Sequence, residues 1–194
     1  YIAKEQMQII REKSYELDEK FKVGDVIILK FNQGQNQYEL SEIPEVNGGM
    51  VVIENDTGRV LAMIGGYDSS SSFNRATQAK RQLGSSFKPF VYITALESGY
   101  SPISKVLDAP FVVSDYSKDG VWRPTNYGDK FYGLSTLRLG IEKSRNLMTI
   151  RLSDELGLDK IAKLSKDLGI YDKFPFLISS SLGSLESSLI KITA

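Results

Sequence analysis

In the stretch Gly84-Ser85-Ser86-Phe87-Lys88, two hydroxyls stand just ahead of a lysine. On a helix, positions three apart share a face, so Ser85 and Lys88 can meet while Ser86 points elsewhere. A lysine is ordinarily a poor base at neutral pH. Desolvation or a second nearby cation can lower its pKa enough for it to take a serine proton. At a helix N-terminus the backbone N–H groups and the positive end of the dipole would also help to stabilise a developing oxyanion. The same spacing has a plainer reading, as a helix cap beside a surface charge. The chain repeats it at Ser188 and Lys191. Ser-x-Asn also occurs twice, at Ser144–Asn146 and at Ser72–Asn74. Spacing alone does not choose between the copies.

Composition narrows the chemistry. The 194 residues include no histidine and no cysteine. Ser-His-acid triads, histidine-based zinc sites, thiolate nucleophiles and disulfides are therefore excluded within this chain. An activated serine must use lysine, a carboxylate or a tyrosinate as its base. The 24 basic and 24 acidic residues cancel, with no large block of one sign. That argues against nucleic acid as the main partner, because phosphate neutralisation needs a concentrated basic face. No apolar run approaches the roughly 18–20 residues of a membrane span. No secretory signal opens the chain, so any anchor or export signal is expected outside it.

The elements that must position these residues can be read in order. Residues 1–20 are rich in helix formers and predict a helix with a thin apolar stripe. FKVGDVIILKF reads as a strand, QGQNQ as a polar loop and YELSEI as a second short strand. MVVIENDTGRVLAMIGG predicts a hairpin, with strands at about 50–54 and 59–65 around an Asn-Asp-Thr-Gly turn. Both strands are nearly all apolar, which implies cover on both faces. YDSSSSFNRATQAKRQ lacks periodicity and reads as a solvated loop. Ser85 or Ser86 is expected to cap a helix running to about residue 98, with Pro89 in its first turn. Further helices are expected at about 134–143, at about 146–156 closing at Gly157, and over DKIAKLSKDLG, which Gly169 can terminate. Hairpin first and helices afterwards implies an α+β fold with helices packed on an antiparallel sheet.

Around Ser85, FNRATQAKRQLGSSFKPFVYITALESGYSP resembles the segment that holds the active-site serine of class A high-molecular-weight penicillin-binding proteins. Further similar blocks follow in the family's order: KVLDAPF, VWRPTNY, GLSTLRLGIEKSRNLMTIRL and SLGSLESSLIKITA. Upstream, FKVGDVI and YELSEIPEVNGGMVVIENDTGRVLAMIGGY resemble the passage from a small OB-like insert into the transpeptidase domain. The resemblance covers roughly residues 21–194. It implies residues 1–47 as the end of a linker or OB-like insert and 48–194 as the N-terminal portion of the transpeptidase domain. It also implies a glycosyltransferase domain and membrane anchor upstream, outside this chain.

The roles follow the motifs. Ser85 corresponds to the nucleophile and Lys88 to the lysine that helps to deprotonate it. Ser144 corresponds to a proton relay toward the leaving group, and Asn146 to the residue that binds the substrate amide and holds the lysine. Trp122 falls in the loop resembling a wall of the cleft, and both a substrate contact and a core tryptophan remain open. The implied activity is D,D-transpeptidation of peptidoglycan stem peptides on lipid-linked glycan strands, at the periplasmic face of the bacterial inner membrane. β-Lactams would acylate the same serine, and no metal or organic cofactor is required. Leu83 departs from the family's usual proline before Gly-Ser-Ser. The family's third motif, Lys-Thr/Ser-Gly, is absent, since Lys191-Ile192-Thr193 is followed by Ala194. The domain therefore reads as truncated, with the hairpin exposed along an edge. A related serine β-lactamase or β-lactam sensor, and a non-catalytic structural or binding fragment, are the alternatives.

Overall fold

The computed structural model describes residues 25–41, 44, 46–67, 71–115 and 120–194. The helix expected over residues 1–20 lies outside them. The chain divides into two compact units, Tyr1–Asn47 and Gly48–Ala194.

In the first unit, β1 (Ile28–Asn32) and β2 (Gln37–Ser41) pair antiparallel, with Ile28 opposite Ser41 and Asn32 opposite Gln37. The turn between them is local. Asn32 Oδ1 accepts from Gly34 N at 3.0 Å, and Asn36 takes a positive φ of 53°, a conformation asparagine tolerates well.

The second unit opens with a hairpin of β3 (Met50–Ile53) and β4 (Val60–Ile64). Its turn follows from Asn55-Asp56-Thr57-Gly58. Gly58 adopts φ +69°, its N–H donates to Glu54 O at 2.9 Å, and Glu54 N donates to Arg59 O at 2.9 Å. The apolar strands are not covered on both faces as their composition implies. Val51, Ile53 and Met63 are half-buried, whereas Met50, Val52, Val60, Leu61 and Ile64 are exposed. Among the described residues the sheet has only these two strands.

The segment after the hairpin is irregular but not simply solvated. Arg75 N donates to Gly65 O at 2.9 Å, and Ile190 N donates to Ala76 O at 3.0 Å. Ala76 is fully buried. The Asn74 side chain makes the local turn by accepting from Ala76 N at 2.9 Å. Ser72-Phe73-Asn74 is thus a structural corner that ties the hairpin to the body.

The helical body forms the core. Helix α1 (Lys88–Glu97) packs on α3 (Asn146–Leu156) and α4 (Leu158–Asp167). Between α1 and α3 come β6 (Lys105–Asp108), which pairs with β9 (Gly133–Thr136), a short β7 (Val113–Asp115) and β8 (Gly120–Trp122) hairpin, and α2 (Leu137–Glu142). The stretch expected as a helix from about 134 therefore begins as a strand. Helix starts at Leu137, where the Thr136 side chain caps it by accepting from Leu139 N. The helix over 146–156 is present with those bounds, and Gly157 at φ +86° ends it. The last expected helix ends at Asp167, two residues before Gly169. A final helix, α5 (Leu189–Thr193), packs against β3.

Phe87, Val91, Tyr92, Ala95, Met148, Leu152, Ile161 and Tyr171 form the centre of the apolar cluster. The Phe87 ring lies 5.5 Å from Phe90, 5.3 Å from Tyr171 and 6.0 Å from Phe174, measured between centroids. The fold is α+β, with helices dominating and small antiparallel pairs around them.

Candidate active site

Ser85 and Ser86 do not cap α1. They lie inside a 3₁₀ turn, Gly84–Phe87, that leads directly into the helix, and neither its first position nor that of α1 has a side-chain cap. Ser85 is exposed, and its hydroxyl has no hydrogen-bond partner among the described residues. The capping expectation is thereby corrected. Leu83 is in the right-handed helical region, so the turn is wound before the serines and there is no extended residue to act as a cap.

The turn is fastened from behind. Arg81–Gln82 (β5) pairs antiparallel with Glu186–Ser187 (β10). Leu83 N donates to Leu185 O at 3.3 Å, and Gly84 N donates to Gly183 O at 2.9 Å. Gly183 comes so close that an added Cβ would stand 2.1 Å from Gly84 O, and its φ is +75°. Both observations demand glycine here. The Ser-Leu-Gly-Ser block of the sequence is thus the support of the Ser85 turn.

Lys88 reaches into the interior. It is 2 % exposed, and its ammonium donates to Ser144 O at 2.6 Å, Ser144 Oγ at 3.0 Å and Asn146 Oδ1 at 2.6 Å. These acceptors match its three N–H groups. Burial lowers its pKa from the ordinary 10.5 to about 8, since a low-dielectric site disfavours the charged form. Of the sequence candidates, the fold therefore brings Lys88, Ser144 and Asn146 into one bonded cluster, with Ser85 one turn ahead of Lys88. Trp122 is half-buried at the end of β8.

The Ser144 backbone has φ +51°, a left-handed conformation uncommon for a residue with a side chain. It lets the residue offer both its carbonyl and its hydroxyl to one cation. Several contacts hold the turn. Arg145 N donates to Gly140 O at 2.9 Å, and Asn146 Nδ2 donates to Thr125 O at 2.8 Å.

Four residues that spacing did not single out stand behind it. Asn126 is 4 % exposed, and its amide donates to Asp108 Oδ1 at 2.6 Å and Lys130 O at 2.9 Å while accepting from Leu147 N at 3.2 Å. Asp108 is fully buried, and its second oxygen lies 3.8 Å from Arg145 Nε. The Arg145 guanidinium stacks on the Tyr132 ring, 3.3 Å from its centroid. Asp108 and Asn126 lie within KVLDAPF and VWRPTNY. A buried-type polar residue inside an otherwise structural block was the available signal.

The remaining copies of the short patterns stay apart from this cluster. Lys191 pairs with Asp172 at 3.2 Å, and Ser188 is buried at the start of α5. Among the described residues, no group of three or more acidic side chains is placed to hold a metal ion.

Residues 48–191 match the family model described as "Penicillin binding protein transpeptidase domain". The chain belongs to this family. It is 46% identical over 174 residues to Penicillin-binding protein 1A of Rickettsia conorii, covering 89% of this chain and 22% of that relative. Penicillin-binding protein 1A of Pseudomonas aeruginosa is 37% identical over 163 residues, or 83% of this chain and 20% of the relative. The chain thus spans about a fifth of the length of the curated relatives it matches. Among solved structures, Penicillin-Binding Protein 1A from Haemophilus influenzae aligns with a TM-score of 0.77 at 32% identity, over 88% of this chain and 26% of that one. PonA1 from Mycobacterium tuberculosis in complex with penicillin V aligns with a TM-score of 0.64 at 26% identity, over 75% of this chain and 41% of that one. The α+β architecture is accordingly part of a penicillin-binding transpeptidase fold.

Proposed function

We propose that this chain carries the nucleophile and the second-motif side of a peptidoglycan D,D-transpeptidase, with Ser85 as the acylated residue. One observation carries the reading. Lys88 is buried and bonded to both Ser144 and Asn146, while Ser85, one turn away, is exposed with its hydroxyl unpartnered among the described residues. A cap beside a surface charge would show the opposite pattern.

A pKa of about 8 leaves roughly a tenth of Lys88 neutral at pH 7, enough to serve as a general base. The Ser85 hydroxyl adds to the carbonyl between the two terminal D-alanines of a stem peptide, and its proton passes to the lysine amine. Ser144 relays a proton to the departing nitrogen. The C–N bond breaks, D-alanine leaves and the acyl group stays on Ser85 as an ester. An amine on a neighbouring stem then takes the acyl group and restores the serine. Backbone N–H groups of the 3₁₀ turn contribute to binding the oxyanion. Asn146 holds the lysine and offers its amide to the substrate, and Trp122 lines the cleft. β-Lactams enter the same path through their strained amide. No cofactor is required.

Residues 1–47 serve as the end of the preceding insert and 48–194 as the front of the transpeptidase domain. The whole protein works on the outer face of the cytoplasmic membrane, held by an anchor outside these residues. Relatives named as penicillin-binding proteins over more than four-fifths of the chain favour this reading over a β-lactamase.

Intact-mass analysis of the full-length protein with benzylpenicillin tests the assignment. A stable gain of one penicilloyl group mapping to Ser85, lost in Ser85→Ala, is expected. Labelling that persists in Ser85→Ala overturns it, and rapid release of hydrolysed penicillin redirects it to a β-lactamase.

A further inference from the structure

The cluster around Lys88 depends on a residue conformation that has to be held in place. At φ +51°, Ser144 presents its carbonyl and its hydroxyl to the same ammonium. A β-carbon-bearing residue does not keep that geometry unless its surroundings fix it. The residues that follow Ser144 are gripped by one loop. Asn146 Nδ2 donates to Thr125 O at 2.8 Å, and Leu147 N donates to Asn126 Oδ1 at 3.2 Å. Arg145 is paired with buried Asp108 at 3.8 Å and lies flat on Tyr132. Asn126 joins these contacts, because the amide that accepts from Leu147 also donates to Asp108 and to Lys130 O.

We infer that Asn126, with Asp108, Arg145 and Tyr132, forms a clamp that positions Ser144 and Asn146 for the acylation step. Asn126 touches none of the reacting groups. It acts through the first turn of α3 and is a positioning residue. The carboxylate is suited to the task because it is fully buried with one oxygen bonded to Asn126 and the other facing a single cation. Removing the amide leaves Asp108 Oδ1 and the Leu147 N–H without partners, and the turn relaxes toward an ordinary conformation. Ser144 then no longer aims both oxygens at Lys88. A displacement of about 1 Å in such a group can cost a hundredfold in rate.

The inference rests on Ser85 being the acylated residue, and the test separates the two. Full-length wild type, Asn126→Ala, Tyr132→Leu and Ser85→Ala are followed by stopped-flow labelling with a fluorescent penicillin across a range of concentrations. The data yield the first-order acylation constant, the preceding dissociation constant and the final amplitude. The first-order constant belongs to the folded molecules alone, so partial unfolding lowers only the amplitude. Asn126→Ala is expected to lower the acylation constant about tenfold to a hundredfold, with little change in the dissociation constant. Tyr132 is 49 % exposed, so Tyr132→Leu keeps the fold available if Asn126→Ala does not. Loss of its stacking is expected to slow acylation about twofold to fivefold. A wild-type acylation constant in both variants, whatever the amplitude, overturns the clamp. Labelling that survives Ser85→Ala instead overturns the underlying assignment.

Discussion

The β3–β4 hairpin strands are wholly apolar and the helices of the body are mixed, yet it is the body that buries its apolar side chains. Around α1 and α3, Phe87, Met148, Leu147 and Leu152 are wholly buried. In the hairpin, Val52, Leu61 and Ile64 face outward. The contrast extends to polar groups. Lys88, Asp108 and Asn126 are nearly or fully inaccessible and bonded into one network. The hairpin's ion pair sits in its turn, where Arg59 meets Glu54 at 3.0 Å at the surface. An apolar run therefore identifies a strand without saying what covers it. In the helical body, three-residue periodicity specifies both the element and the face that packs.

The largest expected effect lies where the body is densest. Phe87→Ala removes a ring with three aromatic neighbours. It should cost about 3–5 kcal/mol in urea unfolding. A cost below about 1 kcal/mol would mean that the body is no better packed than the hairpin.

Lys88 should give an effect of comparable size that depends on pH. Its folded pKa is depressed to about 8 from 10.5. Between those values the unfolded chain binds the proton and the folded chain does not, so stability rises with pH. The contribution is fully present above about 10.5 and is lost as pH falls through about 8. Relative to Lys88→Met, the wild type should gain about 3 kcal/mol between pH 7 and pH 11. A flat difference would show that water reaches the ammonium and that the body is not closed around it.

Gly183→Ala comes next. The new Cβ would meet Gly84 O in a residue already at positive φ. Overpacking of this kind costs about 1–3 kcal/mol. The shift should be transmitted to the Ser85 turn, slowing acylation by penicillin beyond what the loss of stability explains. Unchanged acylation would show that β5 and β10 alone hold the turn.

Much of this was legible in the sequence. The helix over 146–156 follows from Met148, Leu152 and Leu156 on one face with Gly157 after it. The hairpin turn follows from Asn55–Gly58. The serine, the lysine and the Ser-x-Asn motif were legible as candidates, and their assembly required the fold. The errors have physical causes. Ser85 carries the residue type of a cap, but the 3₁₀ turn begins earlier, at Gly84, and frees its hydroxyl. Leu134 to Thr136 has helix-compatible spacing, yet pairing with β6 makes it a strand. The loop after the hairpin has no periodicity, so its anchors, Ala76 and Asn74, leave no pattern to read. The roles of Asp108 and Asn126 were hard to read for a related reason. Apart from the local Asn126–Lys130 contact, the side-chain partners named here lie 18 to 37 residues away along the chain, and no local rule reports a contact at that distance.

The smallest expected effect is the sharpest test of the opening contrast. Leu61 is 60 % exposed in β4, so truncating it removes little that the fold has taken out of water. Leu61→Ala should change stability by no more than about 0.5 kcal/mol, as for an ordinary surface substitution. The same substitution at fully buried Leu147 should cost about 2–5 kcal/mol. The pair of variants, measured under one set of conditions, turns composition into a difference in free energy. If the two costs prove similar in the full-length protein, Leu61 is covered there. The hairpin would then be an interior strand pair, and its apolar faces would be explained. If the costs differ as expected, those faces are solvent surface in the working protein, and the strands owe their order to the turn and to the packing of α5 against β3.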